Sequence, residues 1–191
     1  MKVILILAIL VALVSGLKKE TSETENRGVQ VYWSECDGCI CKYFNVYAYE
    51  YETKTNGAMD EFHYLYIYHE DFDTCNWTWV GAYVQQNTEV AGLWISKTAK
   101  NARLNVTGLV DSGGHTISVN LKWDDVGIKS SCNCRYADFI SPYTYKQTSS
   151  SKYSQTSVEG TFSINGVDYH PSGVIGYIND YGSKTVYLTH P

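Results

Sequence analysis

Proline is scarce in this chain, with three residues among 191, methionine occurs twice, and only the first residues hold a long apolar run. Beyond residue 16 no apolar repeat of 3.6 residues is sustained, and few alanines or leucines are on hand to support one, which argues against helical architectures. No repeat of fixed period is present, so a propeller or solenoid is not indicated. The motifs of common catalysts are missing as well. There is no G-x-S-x-G elbow and no glycine-rich phosphate loop, and His69-Glu70 is not followed by the second histidine of a zincin helix. Basic residues are outnumbered, 15 Lys and Arg against 20 Asp and Glu for a net charge of −5. That balance speaks against a nucleic-acid partner, which wants a basic face, and against adsorption to anionic lipid.

What the chain does have is alternation. From Tyr43 to Tyr51 one parity holds Tyr43, Tyr47, Tyr49 and Tyr51 and the other holds Phe44, Val46 and Ala48, the two-residue period of a strand. Phe62 to His69 repeats the split, with Phe62, Tyr64, Tyr66 and Tyr68 opposite Leu65 and Ile67, the second face ending in His63 and His69. Trp77 to Val84 repeats it again, with Trp77, Trp79 and Tyr83 opposite Val80, Ala82 and Val84. Later, Thr116 to Trp123 places Ile117, Val119, Leu121 and Trp123 on one face. The strands are punctuated by Asn56-Gly57, expected to lie in a loop longer than two residues, by Asp111-Ser112-Gly113-Gly114, and by Asn165-Gly166, the strongest hairpin signal. Val174 to Ile178 and Lys184 to Thr189 read as closing strands joined through Asn179 to Gly182. The Ser/Thr/Lys-rich stretch Tyr143 to Ser157 has little to bury, and too few apolar residues on one side to enter a membrane as a hairpin. The expected fold is all-β, a two-sheet antiparallel β-sandwich stabilised by disulfides, with a barrel or jelly roll as the alternative.

Lys2, the apolar run Val3 to Val14, and the small residues Ser15 and Gly16 predict a secretory signal over residues 1–16, its apolar run shorter than the ~20 residues a bilayer span requires. Residues 17–28, polar and without periodicity, are expected as a flexible leader, and 29–191 as a single all-β domain. The chain is therefore expected outside the cell. In that setting six cysteines, Cys36, Cys39, Cys41, Cys75, Cys132 and Cys134, read first as disulfides and second as thiolate ligands of zinc or copper. Cysteines two apart on a strand have Cα atoms near ~7 Å apart, the outer limit for bridging. Internal pairing of Cys132 with Cys134, or of Cys39 with Cys41, is thus disfavoured. If every cysteine of the first cluster pairs outside it, its partners are Cys75, Cys132 and Cys134.

Chemistry-bearing side chains otherwise point to surface or structural roles. His63, His69, His115, His170 and His190 are scattered, and His63 and His69 stand too far apart along one strand to share an ion. Glu70, Asp71, Asp73 and Asn76 cluster without calcium-loop spacing and read as a solvated turn. Glu50, Glu52, Asp60 and Glu61 could include the carboxylate pair of a glycosidase. Asn76 and Asn105 open glycosylation sequons, relevant in a eukaryotic host. No metal, cofactor or catalytic residue is expected. The aromatic face is the candidate surface, because flat rings stack on sugars or on a protein partner and tyrosine adds a hydroxyl.

Three segments, Asp71 to Tyr83 (DFDTCNWTWVGAY), Ile117 to Gly127 (ISVNLKWDDVG) and Val158 to Gly166 (VEGTFSING), together resemble a type of secreted bacterial β-rich protein without assigned function. The resemblance implies a secreted all-β chain, brings no catalytic residue with it, and does not include the clustered cysteines. The expectation is a secreted noncatalytic β-sandwich that binds extracellular carbohydrate or a surface protein through Tyr47, Tyr49, Tyr64, Tyr66, Trp77 and Trp79. The alternatives are a carboxylate-based secreted hydrolase and a coat protein that self-associates.

Overall fold

The computed structural model describes residues 18–87, 90, 92–140 and 143–189, so the expected signal at 1–16 lies outside the described residues. Among the described residues ten strands run in chain order: β1 (Lys18–Asp37), β2 (Ile40–Thr55), β3 (Ala58–Asp73), β4 (Thr78–Gln86), β5 (Leu93–Ile95), β6 (Asn101–Val110), β7 (Thr116–Ile140), β8 (Tyr143–Ile164), β9 (Val167–Tyr169) and β10 (Val174–Thr189). All pairings are antiparallel. They form one sheet in the order β4-β3-β2-β1-β10-β8-β7-β6-β5, with β9 beside β8, not closed into a barrel.

The expected all-β antiparallel fold is present, and the layers of the sandwich are two wings of this one sheet. Phe44 on β2 and Phe162 on β8 are three strand steps apart, about 14 Å in a flat sheet, yet their ring centroids are 5.0 Å apart. The sheet has therefore coiled until its inner face packs on itself. Trp33 meets the same ring edge-on at 5.8 Å, and the Trp123 indole on β7 donates across the gap to the Gln30 carbonyl of β1 at 3.1 Å. Gly176 makes this crossing possible, since a Cβ there would sit 2.7 Å from the Trp123 indole nitrogen. The core is built from the aliphatic parity of each strand: Val29, Val31 and Trp33; Phe44, Val46 and Ala48; Leu65 and Ile67; Ala102, Leu104 and Val106; Ile117, Val119, Leu121 and Trp123.

Tight turns set the register. Asn165-Gly166 joins β8 to β9 with both residues at positive φ (51° and 81°), as the N-G signal predicts. Asn56-Gly57 does the same between Thr55 and Ala58 (49° and 89°), a two-residue hairpin where a longer loop was expected. The flanking residues Thr53 to Asp60 look loop-like only because both of their faces are largely exposed and need no apolar residues. Each asparagine also clips the neighbouring strand: Asn56 brackets Thr21 and Asn165 brackets Thr116, backbone to backbone and side chain to backbone.

Residues 18–28, expected as a leader, are the first half of β1, bonded to β10 along 18–31 and to β2 from Ser22 onward. Likewise Val174 to Thr189 is one continuous strand rather than two. Polar sequence without periodicity misled in both places. A strand in the middle of a sheet satisfies its backbone through its neighbours, whatever its side chains.

The oxidised reading of the cysteines holds, with all six in disulfides: Cys36–Cys41, Cys39–Cys75 and Cys132–Cys134. The disfavoured Cys132–Cys134 pair is made, because the strand is locally shorter than the fully extended ~7 Å: its two Cα atoms are 5.9 Å apart, inside bridging range. Cys36–Cys41 is a cross-strand bridge at the end of the β1–β2 hairpin, so the first cluster is partly paired within itself. Cys39–Cys75 ties that hairpin turn to the β3–β4 turn, where Thr74 also donates twice to the Cys39 carbonyl.

Candidate functional site

The outward faces of β2, β3 and β4 carry a tyrosine ladder, and the aliphatic parity is the one that is buried. Tyr47, Tyr49, Tyr64 and Tyr66 touch in sequence at centroid distances of 5.2 to 6.4 Å, and the chain of rings runs on to Phe62 at one side and Tyr83 at the other. The four tyrosines are half-buried by one another and open to solvent along the ladder. Burial raises the Tyr47 and Tyr66 hydroxyls above their ordinary range, helped by neighbouring phenols, so both remain neutral donors at physiological pH. Tyr68 is pushed up to about 12, by burial and by donation to Glu70.

A notch opens beside the ladder where Gly28 of β1 faces Tyr49 of β2. A Cβ at Gly28 would fall 2.8 Å from the Tyr49 Cβ, so only glycine keeps the floor low. The groove, about 260 Å³, is completed by Asn26, Asn179, Tyr153 and Tyr181. Tyr153 stacks on Tyr177 at 5.1 Å and extends the aromatic face onto β8 and β10.

Trp77 and Trp79, expected with the tyrosines, stand apart from them at the disulfide-clasped end. Trp77 is the last residue of the turn, at a positive φ of 55°, and packs edge-on against Phe72 at 6.0 Å. They are 77% and 68% exposed, the freest large rings on this face. The acidic turn beside them is internally satisfied. Asp73 accepts from the Cys75 and Asn76 amides and from the Asn76 side chain, and Asp71 pairs with Lys42 at 2.6 Å. These bonds hold the Asp73 carboxyl below its usual range. Asn76 and Asn105 are exposed.

On the opposite face, below the core, Glu50, Glu52 and Glu61 converge with Glu25, Arg27 and His63 around a cleft of about 240 Å³. Asp60 is not part of it and lies instead beside Phe62 and Tyr64 on the ladder side. Arg27 is committed elsewhere, donating to the carbonyls of Ile95 and Ser96 on the facing wing.

A third constellation was not anticipated from the sequence. His69 on β3, Asp111 after β6 and His115 before β7 share one buried carboxylate: His69 Nε2 lies 2.6 Å and His115 Nδ1 2.9 Å from Asp111 Oδ2. The other oxygen, Oδ1, accepts from the amides of Gly113 and His115. Burial works to raise the Asp111 carboxyl, but the bonds from His69, His115 and Gly113 outweigh it and hold it at about 2. Two local signals pointed here. His69 ends the buried parity of its strand, where a polar ring needs a partner, and His115 follows Asp111 by four residues across a tight glycine turn.

No helix among the described residues is long and apolar enough to cross a membrane. No family model matches the chain, and no curated protein matches it. Among solved structures, the chain is similar to a protein described as AttH from Nitrosomonas europaea, at 9% identity and a TM-score of 0.35. That likeness covers 87% of this chain and 52% of the other.

Proposed function

We propose that this is an extracellular, noncatalytic β-protein that binds a carbohydrate chain, or a partner protein's surface, along the tyrosine ladder and its Gly28 groove. The observation that carries this reading is the ladder itself: half-buried rings held against one another in an open row, beside a groove lined by asparagines. Rings fixed by their neighbours lose little entropy when a flat sugar face stacks on them, and neutral hydroxyls and carboxamides supply directional hydrogen bonds. Three disulfides fit an oxidising compartment. The test is a glycan array and a polysaccharide pull-down with wild type, Tyr66→Ala and Trp79→Ala. Loss of one stacking contact of ~1.4 kcal/mol weakens binding about tenfold. A ladder platform requires that loss in Tyr66→Ala, and no saccharide or protein capture by wild type would sink it.

The convergence of Glu50, Glu52 and Glu61 favours a second reading, a carboxylate-based hydrolase working in the cleft. Turnover of a glycoside substrate that disappears in Glu50→Gln while binding to the ladder persists would select it.

A further inference from the structure

We propose that His69, Asp111 and His115 form a binding site for one divalent zinc-type ion, which staples β3 of one wing to the β6–β7 turn of the other. The donor set is two imidazole nitrogens and one carboxylate oxygen, a combination that zinc accepts together with a water. Their ligand atoms all lie within 4.8 Å of one another. A tetrahedral ion with bonds of ~2.0 to 2.2 Å sets its donors about 3.3 to 3.5 Å apart. For the ion to replace the shared protons, the two contacts to Asp111 Oδ2, at 2.6 and 2.9 Å, open by under ~1 Å, and the imidazole nitrogens, within 4.8 Å of each other, close by up to about 1.5 Å.

The surroundings are those of a prepared site. Asp111 is pinned through Oδ1 by two backbone amides, with His115 Nδ1 also 3.1 Å from that oxygen, while Oδ2 lies between the two imidazoles, the kind of outer-shell support that metal ligands carry. His69 is buried, and His115 is partly exposed, so water and ions reach the cluster from one side. The turn that carries two of the ligands is docked independently of them: Ser112 donates its amide to the Tyr83 carbonyl at 2.8 Å, and its hydroxyl accepts from the Tyr83 amide at 3.1 Å. The His115 ring rests directly over Gly113, where any side chain would collide with it. With every cysteine in a disulfide, no thiolate competes for the ion. Among the described residues, the other histidine–carboxylate pair is Glu61 with His63 in the cleft, where the two side chains approach to 3.8 Å.

The experiment is zinc titration of the purified, untagged protein by calorimetry, with cobalt substitution to read the ligand field and thermal unfolding to read stability. Wild type, His115→Ala and His63→Ala are compared. His115 lies on the turn surface, so its loss leaves the fold intact, which circular dichroism verifies. The expected result is one ion per chain, a tetrahedral cobalt spectrum and a rise in unfolding midpoint with zinc. In His115→Ala affinity falls by on the order of 100-fold or more, since even outer-shell changes cost 10- to 100-fold, and in His63→Ala it is unchanged. Absence of saturable zinc binding to wild type overturns the proposal, as does binding that survives in His115→Ala or is lost in His63→Ala.

Discussion

Strand β7 belongs to two different environments, and its halves can be compared directly. From Ile117 to Trp123 every second side chain enters the core, whereas from Val126 to Phe139 every side chain is exposed. The ladder to β8 continues through both halves, interrupted only by the bulge between Asp125 and Lys129, where Gly127 takes a φ of 89°. Hydrogen bonding is thus the same in kind at either end, and what differs is the facing wing. The core end gains from burial, at roughly 25 cal/mol per Å² of apolar surface. The extension is held by its ladder and by cross-strand rings such as Tyr145 on Tyr187 at 5.3 Å and Tyr136 on Tyr145 at 5.8 Å. Such pairs contribute ~0.2 to 1 kcal/mol each.

The largest expected effect comes from emptying the core. Phe162→Ala should cost about 3 to 5 kcal/mol in urea unfolding, while Tyr136→Ala in the extension should cost under ~1 kcal/mol. Equal losses would mean that the extension, too, is packed against something. Next is the clasp. Cys39 and Cys75 are 36 residues apart, so Cys75→Ser should lose about 3 to 4 kcal/mol in the chain-entropy account. Breaking Cys132–Cys134, two residues apart, should lose only about 1 kcal/mol. Measuring both variants under non-reducing conditions tests whether the covalent framework serves the core end more than the extension.

Asp111 gives a smaller effect with a pH signature. Its carboxyl is held at about 2 in the folded chain, below its unfolded value, so its stabilisation is complete above pH ~4 and disappears as pH falls toward 2. In the absence of metal, Asp111→Asn should therefore cost about 2 kcal/mol at pH 6 and almost nothing at pH 2. A penalty independent of pH would show that the carboxylate's charge is not what joins the wings. The smallest effect is at the boundary. Thr156 is fully buried and its hydroxyl has no hydrogen-bond partner. Replacing that orphan with a methyl in Thr156→Val should leave stability unchanged or raise it by up to ~1 kcal/mol. A clear loss would reveal a polar partner at the junction.

Much of the core end could be read from the chain. The parity of Phe44, Val46 and Ala48 against Tyr47 and Tyr49, and the run Ile117 to Trp123, identify strands and their two faces, because side-chain alternation is a property of the backbone itself. The extension could not be read that way. Lys18 to Gly28 and Tyr143 to Ser157 contain no aliphatic side chain, and the side chains they bury, such as Ser154 and Thr156, are polar, so no apolar periodicity marks them and their strand state comes from the neighbours that complete their ladders. Of the candidate surface, the four tyrosines were found together, and the two tryptophans lie at the clasped end, where the β3–β4 turn and the start of β4 place them.

Local chemistry alone decided the two-residue period, the N-G turns and the expectation that six cysteines are oxidised. Tertiary structure decided what depends on distant strands meeting. It turned the aliphatic parity inward and left the tyrosines outside, since only coiling of the sheet onto itself buries one face. It paired Cys39 with Cys75 rather than with the last two cysteines. It also carried His69 to a carboxylate 42 residues further along the chain, a meeting that required both wings to close.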